Sequence, residues 1–147
     1  MFRTIVWATD GSESADRAFP VATALARGEG KSLIAVHSNE RFIGGRSAGY
    51  PILADEDELQ AKIKGQVDEA RGEGINATFR LAAGPGGHAA HLIADAAEEL
   101  GADVIVVGTR GHAAVSGLLL GSVVQRLLHV AHCPVLVVPA SPRAAAT

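Results

Sequence analysis

The stretch from residue 104 to residue 124 constrains the fold of this chain more than any other. It opens on an apolar β-branched run at residues 104–107, which is typical of a strand buried on both faces of a parallel sheet. The run stops at Gly108, and a glycine-containing loop leads to an amphipathic segment that begins at Ser122. A strand, a glycine loop and a helix amino terminus together can bind an anion, because free N–H groups and the positive helix end point at it.

Five strand-like runs alternate with four helical segments along the 147 residues. This alternation predicts one α/β domain, an open parallel sheet with helices on both faces and right-handed crossovers. A chain of this length is long enough to bury a core as a single domain. The strands are predicted at residues 4–9, 33–36, 75–81, 104–107 and 135–138, and the helices at about 13–27, 55–71, 88–100 and 121–131.

Two segments depart from the regular alternation. Pro20 lies inside the first helical segment, where proline costs on the order of 3 kcal/mol, so we expect a kink or a break there. Residues 39–54 carry several glycines and Pro51, and they are predicted to be irregular. A segment of this length is either a lid over a binding site or a mobile connection.

Charge and composition narrow the classes of function. The formal net charge is −3 and no basic block is present, which disfavours a general binder of DNA or RNA. Neither a signal peptide nor an uncharged stretch long enough to span a bilayer is recognisable. We therefore expect a soluble, cytoplasmic protein.

The thiol and imidazole groups do not form a recognisable metal motif. The single cysteine, Cys133, fits a reducing compartment and is expected to be a buried structural thiol. His88 with His91, and His129 with His132, are pairs at i and i+3 that would need further ligands to bind zinc. No carboxylate or thiol is placed to complete either set, except Cys133 beside His132, so no metal site is expected.

The spacing of the glycines carries the most specific signal. Gly108 and Gly111 are followed after nine residues by Gly121 and Ser122. This is neither a Walker A loop nor the dinucleotide-binding fingerprint. It resembles the Gly-2x-Gly-9x-Gly-Ser/Thr signature of the universal stress protein family, in its ATP-binding branch. Residues 5–12, 96–108 and 130–138 are also similar to family segments, so the resemblance covers residues 2–139.

The resemblance implies the arrangement of the strands, which periodicity alone does not. It implies the order 3-2-1-4-5 in a Rossmann-like fold of the adenine nucleotide alpha hydrolase type. Strands one and four would then be neighbours at the switch point, where such sheets bind ligands. Asp10 and Gly108, each at the end of one of these strands, would converge there. Residues 140–147 would be a flexible tail outside the core.

The ligand that the resemblance implies is ATP, with Mg²⁺ as an accompanying ion. By position, Gly108 and Gly111 would line the ribose and the first phosphates, and Asp10 would reach the ribose or the metal ion. Gly121, Ser122 and the N–H group of Val123 would hold the outer phosphates. The backbone near Ala8, Thr9 and Val36 would contact adenine.

Arg110 is a candidate from its charge alone. It lies between the first two glycines of the loop, where a guanidinium group can pair with a phosphate. A solvated loop arginine is the equally weighted alternative. Ser122 has two compatible roles, because its hydroxyl group can cap the helix or bind a phosphate oxygen.

The sequence favours a regulatory protein over an efficient enzyme. Phosphoryl transfer needs positioned cations, and no lysine lies in the glycine loop at residues 108–122. The expected function is an ATP-binding stress-response module with at most slow hydrolysis, acting through an unidentified protein partner. The alternatives are a weak ATPase or phosphotransferase, a cyclic-nucleotide-binding protein, and a nucleotide-free dimeric interaction protein.

The fifth strand, Val135–Val138, is expected at an edge of the sheet. A bare apolar edge promotes aggregation unless something covers it. The resemblance implies that it pairs with the same strand of a second subunit in a twofold homodimer. A covering helix or the carboxyl-terminal tail is the alternative.

Overall fold

Strands and helices alternate through the part of the chain that the computed structural model describes. This part comprises residues 1–39, 50–84, 88–109 and 120–139, with the backbone alone for residues 50–55. The predictions for Arg110, Gly111, most of the 39–54 segment and the tail from residue 140 lie outside it. The elements are β1 (Thr4–Ala8), α1 (Glu13–Leu25), β2 (Ser32–Asn39), α2 (Tyr50–Gly72), β3 (Ala77–Ala83), α3 (Ala89–Leu100), β4 (Val104–Gly108), α4 (Ser122–Val130) and β5 (Val135–Val138).

The five strands form one parallel sheet in the order β3-β2-β1-β4-β5. The predicted order 3-2-1-4-5 is therefore confirmed, and β3 and β5 are the edges. Val6 of β1 lies opposite Ile34 of β2 on one side and Ile105 of β4 on the other. The chain leaves β1 toward β2 and later returns to its other side at β4, so the order reverses between β1 and β4.

Alternate residues of β1 pack into two separate layers. Ile5 and Trp7 belong to the cluster that includes side chains of α1 and α2, whereas Val6 and Ala8 belong to the cluster that includes those of α3 and α4. Helices therefore cover both faces of the sheet, as predicted. The indole Nε1–H of Trp7 donates to the carbonyl oxygen of Ala15 at 3.0 Å, so this large side chain is buried without an unpaired donor.

Helix α1 runs without a break through Pro20, so the predicted division into two pieces is wrong. Ser12 is the amino-terminal cap, and its hydroxyl oxygen accepts from the N–H group of Ala15 at 3.2 Å. The pyrrolidine ring of Pro20 is exposed. Ala18 and Ala22, on the opposite face, are fully buried. Packing of this small-residue face against the sheet outweighs the local cost of the proline.

Regular structure extends into both ends of the segment 39–54, which was predicted to be irregular. Strand β2 continues to Asn39, and α2 begins at Tyr50 rather than at Asp55. Pro51 indicated a loop, yet a proline in the first turn of a helix removes an N–H group that would have no partner there. The first turn of α2 therefore contains no acidic residue. Ile63, on the predicted stripe of α2, is fully buried.

On α4 and β3, only some of the apolar side chains are buried. Val124 and Leu127 are buried on α4, but Val123 and Leu128 are 40% and 49% exposed. Only the centre of such a stripe touches the sheet. On β3, which begins at Ala77 instead of Ile75, Leu81 is 38% exposed because the strand lies at an edge.

Asp103 ties the beginnings of the two central strands together. Its Oδ2 atom accepts from the N–H groups of Arg3 and Thr4, each at 2.9 Å. The N–H group of Asp103 in turn donates to the carbonyl oxygen of Thr4 at 2.8 Å. The two donors to the carboxylate lower the pKa of Asp103, more than its partial desolvation raises it. None of the described helices is long and apolar enough to cross a membrane.

Replacing Asp103 with asparagine is expected to destabilise the fold at neutral pH and much less in acid. The folded pKa lies below the unfolded one, so the stabilisation is complete above the unfolded value and is lost as pH falls through the folded value. Urea denaturation at about pH 7 and about pH 3 measures this difference. Asp95→Asn, which removes an exposed carboxylate on α3, is the control. An equal loss at both pH values would contradict the assignment.

Candidate functional site

The candidate site lies where the strand order reverses, at the carboxyl ends of β1 and β4. Crevices at this position bind ligands in open α/β sheets because the loops on either side diverge. Thr9 and Asp10 follow β1 directly, and Gly108 is the last residue of β4. The structure therefore places Thr9, Asp10 and Gly108 together at the carboxyl ends of the strands, as their positions in the sequence required.

The turn after β1 is fixed by its own side chains. The N–H group of Gly11 donates to Thr9 Oγ1 at 3.1 Å, and that of Ser12 donates to Asp10 Oδ1 at 3.0 Å. Gly11 has a φ of +81°, a conformation that side chains disfavour. Asp10 therefore orders the turn, while Ser12 caps α1. Ser12, and not Asp10, is the cap of the helix.

Helix α2 holds the same turn from outside. Lys62 Nζ donates to the carbonyl oxygen of Gly11 at 2.7 Å and contacts Asp16 Oδ2 at 2.8 Å. A Cβ atom on Gly11 would lie 2.4 Å from Leu59 Cδ2. The turn is thus packed between α1 and α2.

Gly108 has a packing role that the glycine spacing did not reveal. A Cβ atom at this position would lie 2.4 Å from both the carbonyl oxygen and the Oγ atom of Ser14. The end of β4 therefore approaches the first turn of α1 at a distance that only glycine permits. This contact joins the two loops of the crevice, in addition to any role of Gly108 toward a ligand.

The amino terminus of α4 lies beside the end of β4. The N–H group of Gly121 donates to the carbonyl oxygen of Thr109 at 2.7 Å. Gly121 is the amino-terminal cap, with φ −72° and ψ 163°, and no side chain caps the helix. Ser122 is the first helical residue and is exposed, so the predicted capping role of its hydroxyl group is wrong. The first N–H groups of the helix have no acceptor within it.

The residues predicted to contact adenine are buried to different degrees. Ala8 is 7% exposed and Thr9 is 5% exposed, whereas Val36 is fully buried. The N–H group of Thr9 donates to the carbonyl oxygen of Val36 at 3.0 Å. Val36 therefore packs in the core.

Sequence reasoning missed a buried polar cluster next to this turn. His37, near the end of β2, is 3% exposed. Its Nδ1 atom lies 3.0 Å from the carbonyl oxygen of Thr9, and its Nε2 atom lies 2.8 Å from Glu56 Oε2. Gln60 Nε2 donates to the same carboxylate oxygen at 2.8 Å. The signal available in the sequence was a histidine directly after the apolar run at residues 33–36.

A groove of about 480 Å³ runs between α3 and α4 and begins at Ser122. Among the described residues, its lining includes the cation Arg126 and no carboxylate. The lining residues are His91, Ser122, Gln125, Arg126, His129 and Val130.

The histidine pairs and the cysteine do not assemble into a metal site within the described ranges. The rings of His88 and His91 are 6.1 Å apart, and His132 lies 3.5 Å from Glu98. Cys133 is half-buried against the α3–α4 layer. Burial, with a smaller contribution from the charge of Asp103, raises the pKa of its thiol. This describes an unreactive structural cysteine.

Comparison with known proteins identifies a family model and similar chains. The model of the universal stress protein family matches residues 1–139. A universal stress protein of Thermus aquaticus, encoded in the 3′ region of the QAH/OAS sulfhydrylase gene, is 38% identical over 141 residues. The match covers 94% of this chain and 99% of that protein.

Two solved structures of similar fold contain adenine nucleotides. A universal stress protein from Archaeoglobus fulgidus in complex with dAMP is 28% identical, with a TM-score of 0.66 over 93% of this chain and 97% of that one. A universal stress protein in complex with cAMP is also 28% identical, with a TM-score of 0.63 over 95% and 98% of the two chains.

Replacing Gly108 with alanine is expected to lower the free energy of unfolding by about 2 kcal/mol, because the added methyl group overlaps the backbone of Ser14. Gly65→Ala is the matched control on α2, where a Cβ atom meets nothing within 4 Å. The control should gain roughly 0.5–1 kcal/mol from helix propensity. Denaturant titration measures both, and a Gly108→Ala variant as stable as the wild type would rule out the close approach.

Proposed function

The chain belongs to the universal stress protein family, and on that premise we propose that it is an ATP-binding regulatory module of the cytoplasm. The observation that carries the proposal is the amino terminus of α4, whose cap residue Gly121 has no side chain and whose start is held beside the end of β4 by the Gly121–Thr109 hydrogen bond. Such a terminus attracts phosphate. The complexes of two family members with dAMP and cAMP support an adenine nucleotide.

The proposed pose follows the shape of the crevice. The N–H groups of Ser122 and Val123 hold the outer phosphates, and Gly121 leaves room for their approach. Gly108 lines the ribose side, joined by Gly111 as the spacing predicts, and the guanidinium group of Arg110 pairs with a phosphate. Asp10 accepts from the ribose or ligates Mg²⁺, and the adenine ring rests against Ala8 and Thr9.

A triphosphate suits the site better than a monophosphate. Among the described residues, the lining of the groove between α3 and α4 includes Ser122 and the cation Arg126 and no carboxylate. Negative charge that extends beyond the first phosphate would be stabilised there. The cyclic monophosphate and dAMP, each with one phosphate, would leave this part of the groove unused.

The site is proposed to hydrolyse its ligand slowly at most. Rapid phosphoryl transfer requires cations positioned on the transferred group. Lys62, which packs against the Asp10 turn, is already bound to the Gly11 carbonyl group and to Asp16. The nucleotide would therefore act as a signal that selects a protein partner.

We also propose that residues 1–147 act as one domain and that the domain forms a homodimer through β5. An edge strand presents unpaired N–H and C=O groups to any chain that can pair with it. Leu136 adds an apolar side chain that is 39% exposed. A second copy related by a twofold axis would cover both.

Gly121→Val is expected to weaken ATP binding about tenfold or more, because the new side chain occupies the approach to the α4 amino terminus. The φ of −72° at Gly121 is open to valine, so folding should persist. Nucleotide extraction followed by calorimetric titration with ATP and Mg²⁺ measures the change, with Gly65→Val as the control. Binding of no adenine nucleotide by the wild type would sink the proposal.

Two further outcomes of the same titration would change the ligand or the activity that we assign to the site. A sharp preference for cAMP over ATP would keep the site and replace the signal that it reads. Turnover of ATP above a protein-free control, abolished in Asp10→Ala, would favour the weak ATPase.

Leu136→Asp is expected to convert the dimer into a monomer, because a charge on β5 opposes strand pairing between copies. Leu81→Asp is the matched control: it lies on the opposite edge strand and is 38% exposed, against 39% for Leu136. Sedimentation velocity measures the mass of each variant. The dimer through β5 would be excluded by a monomeric wild type, or by equal dissociation of both variants.

A further inference from the structure

His37 connects the turn of the proposed nucleotide crevice to helix α2. It lies on β2 with 3% of its surface exposed. One ring nitrogen, Nδ1, is 3.0 Å from the carbonyl oxygen of Thr9, and the other, Nε2, is 2.8 Å from Glu56 Oε2. The imidazole ring therefore bridges the end of β1 and the helix that follows residues 40–49.

The partners of the ring determine how many protons the cluster holds. A carbonyl oxygen only accepts, so Nδ1 must carry a hydrogen and donate it to Thr9. Between Nε2 and the carboxylate of Glu56 a second proton is needed, on the ring or on the carboxyl group, because two lone pairs at 2.8 Å would repel. Both placements leave the pair with no net charge.

The other charged groups near His37 make contacts with other residues. Lys62 of α2 contacts Gly11 and Asp16. Asp10, beyond β1, accepts from the Ser12 N–H group. On β3, the residue opposite His37 is the apolar Leu81, and Arg80 points to the other face of the sheet, where it pairs with Glu99. Within the described residues, Glu56 is the ionisable partner that contacts the ring.

We propose that His37 and Glu56 form a proton-linked latch that positions the Thr9 end of the crevice for adenine nucleotide. The proposal rests on the nucleotide-binding function proposed above. With the shared proton in place, α2 is held against β2, and the Thr9 carbonyl group is fixed by an N–H donor. Loss of the proton leaves a carboxylate facing a ring lone pair in a buried site, which favours separation of α2 from β2.

The direction of the pH effect follows from this count. The latched form holds one proton more than the released form, so it dominates on the acidic side and is lost as pH rises. Because binding and protonation are linked, a nucleotide that prefers the latched form must take up a proton when it binds at higher pH. His37 is thus a positioning residue, and it acts through the Thr9 backbone.

The protein without nucleotide provides the first test. Long-range ¹⁵N correlation spectra of His37 and ¹³C spectra of Glu56 locate both protons directly. We expect a protonated Nδ1 throughout and loss of the second proton on the alkaline side, with faster amide exchange in α2 from residue 56 onward once it is lost. A ring with its hydrogen on Nε2 alone, or no titration of either group, would overturn the latch.

The second test measures ATP affinity as a function of pH in three proteins. The wild type should lose about fivefold or more in affinity as pH rises. Glu56→Gln should show a flat profile, because an amide donates to Nε2 and offers an oxygen to Gln60, with no shared proton. Glu58→Gln, which removes an exposed charge two residues away, should follow the wild type.

The two tests separate failure of the latch from failure of the proposed function. A titrating pair in a protein that binds no ATP would refute nucleotide binding and leave the latch standing. ATP affinity with the same pH profile in the wild type and Glu56→Gln would refute its role in positioning, even where the pair titrates. A steeper loss in Glu58→Gln than in the wild type would point to general charge effects and likewise count against the latch.

Discussion

The burial of β1 on both faces and along both edges is the constraint on which the rest of this structure depends. Ile5, Val6 and Trp7 are fully inaccessible to solvent. A strand in this position must have helices above and below it and a parallel strand on each side, since its backbone groups and side chains all need partners. The reversal of strand order beside β1, and hence the crevice, follows from this requirement.

The geometry of the crevice depends on close approach between backbones more than on polar side chains. Gly108 lets the end of β4 meet the first turn of α1, and Gly11 lets the turn after β1 fit beneath Leu59. Gly121 brings the start of α4 to Thr109. Glycines that a motif search reads as ligand contacts therefore also determine how the loops pack. A substitution at Gly108 would disturb the fold whether or not a ligand binds.

The sequence predicted the type of every described element, but it was less successful wherever two interpretations share one local pattern. Pro51 is as compatible with a first helical turn as with a loop, and only the chain around it decides. Val123 and Val124 are adjacent residues of the same type, yet only Val124 is buried against the sheet. The strand order came from the resemblance to a family, because periodicity carries no information about which strands are neighbours.

His37 could not be recognised from the sequence because its role depends on distant partners. Glu56 is 19 residues away and Thr9 is 28 residues away, and nothing in the local pattern predicts either contact. The same holds for Asp103, whose donors lie about 100 residues earlier. These two groups anchor opposite ends of β1: Asp103 fixes its start to β4, and His37 fixes its exit to α2. The start is held by a carboxylate that stays ionised at neutral pH. The exit is held by the hydrogen-bonded pair of His37 and Glu56, which reaches β1 through the carbonyl group of Thr9.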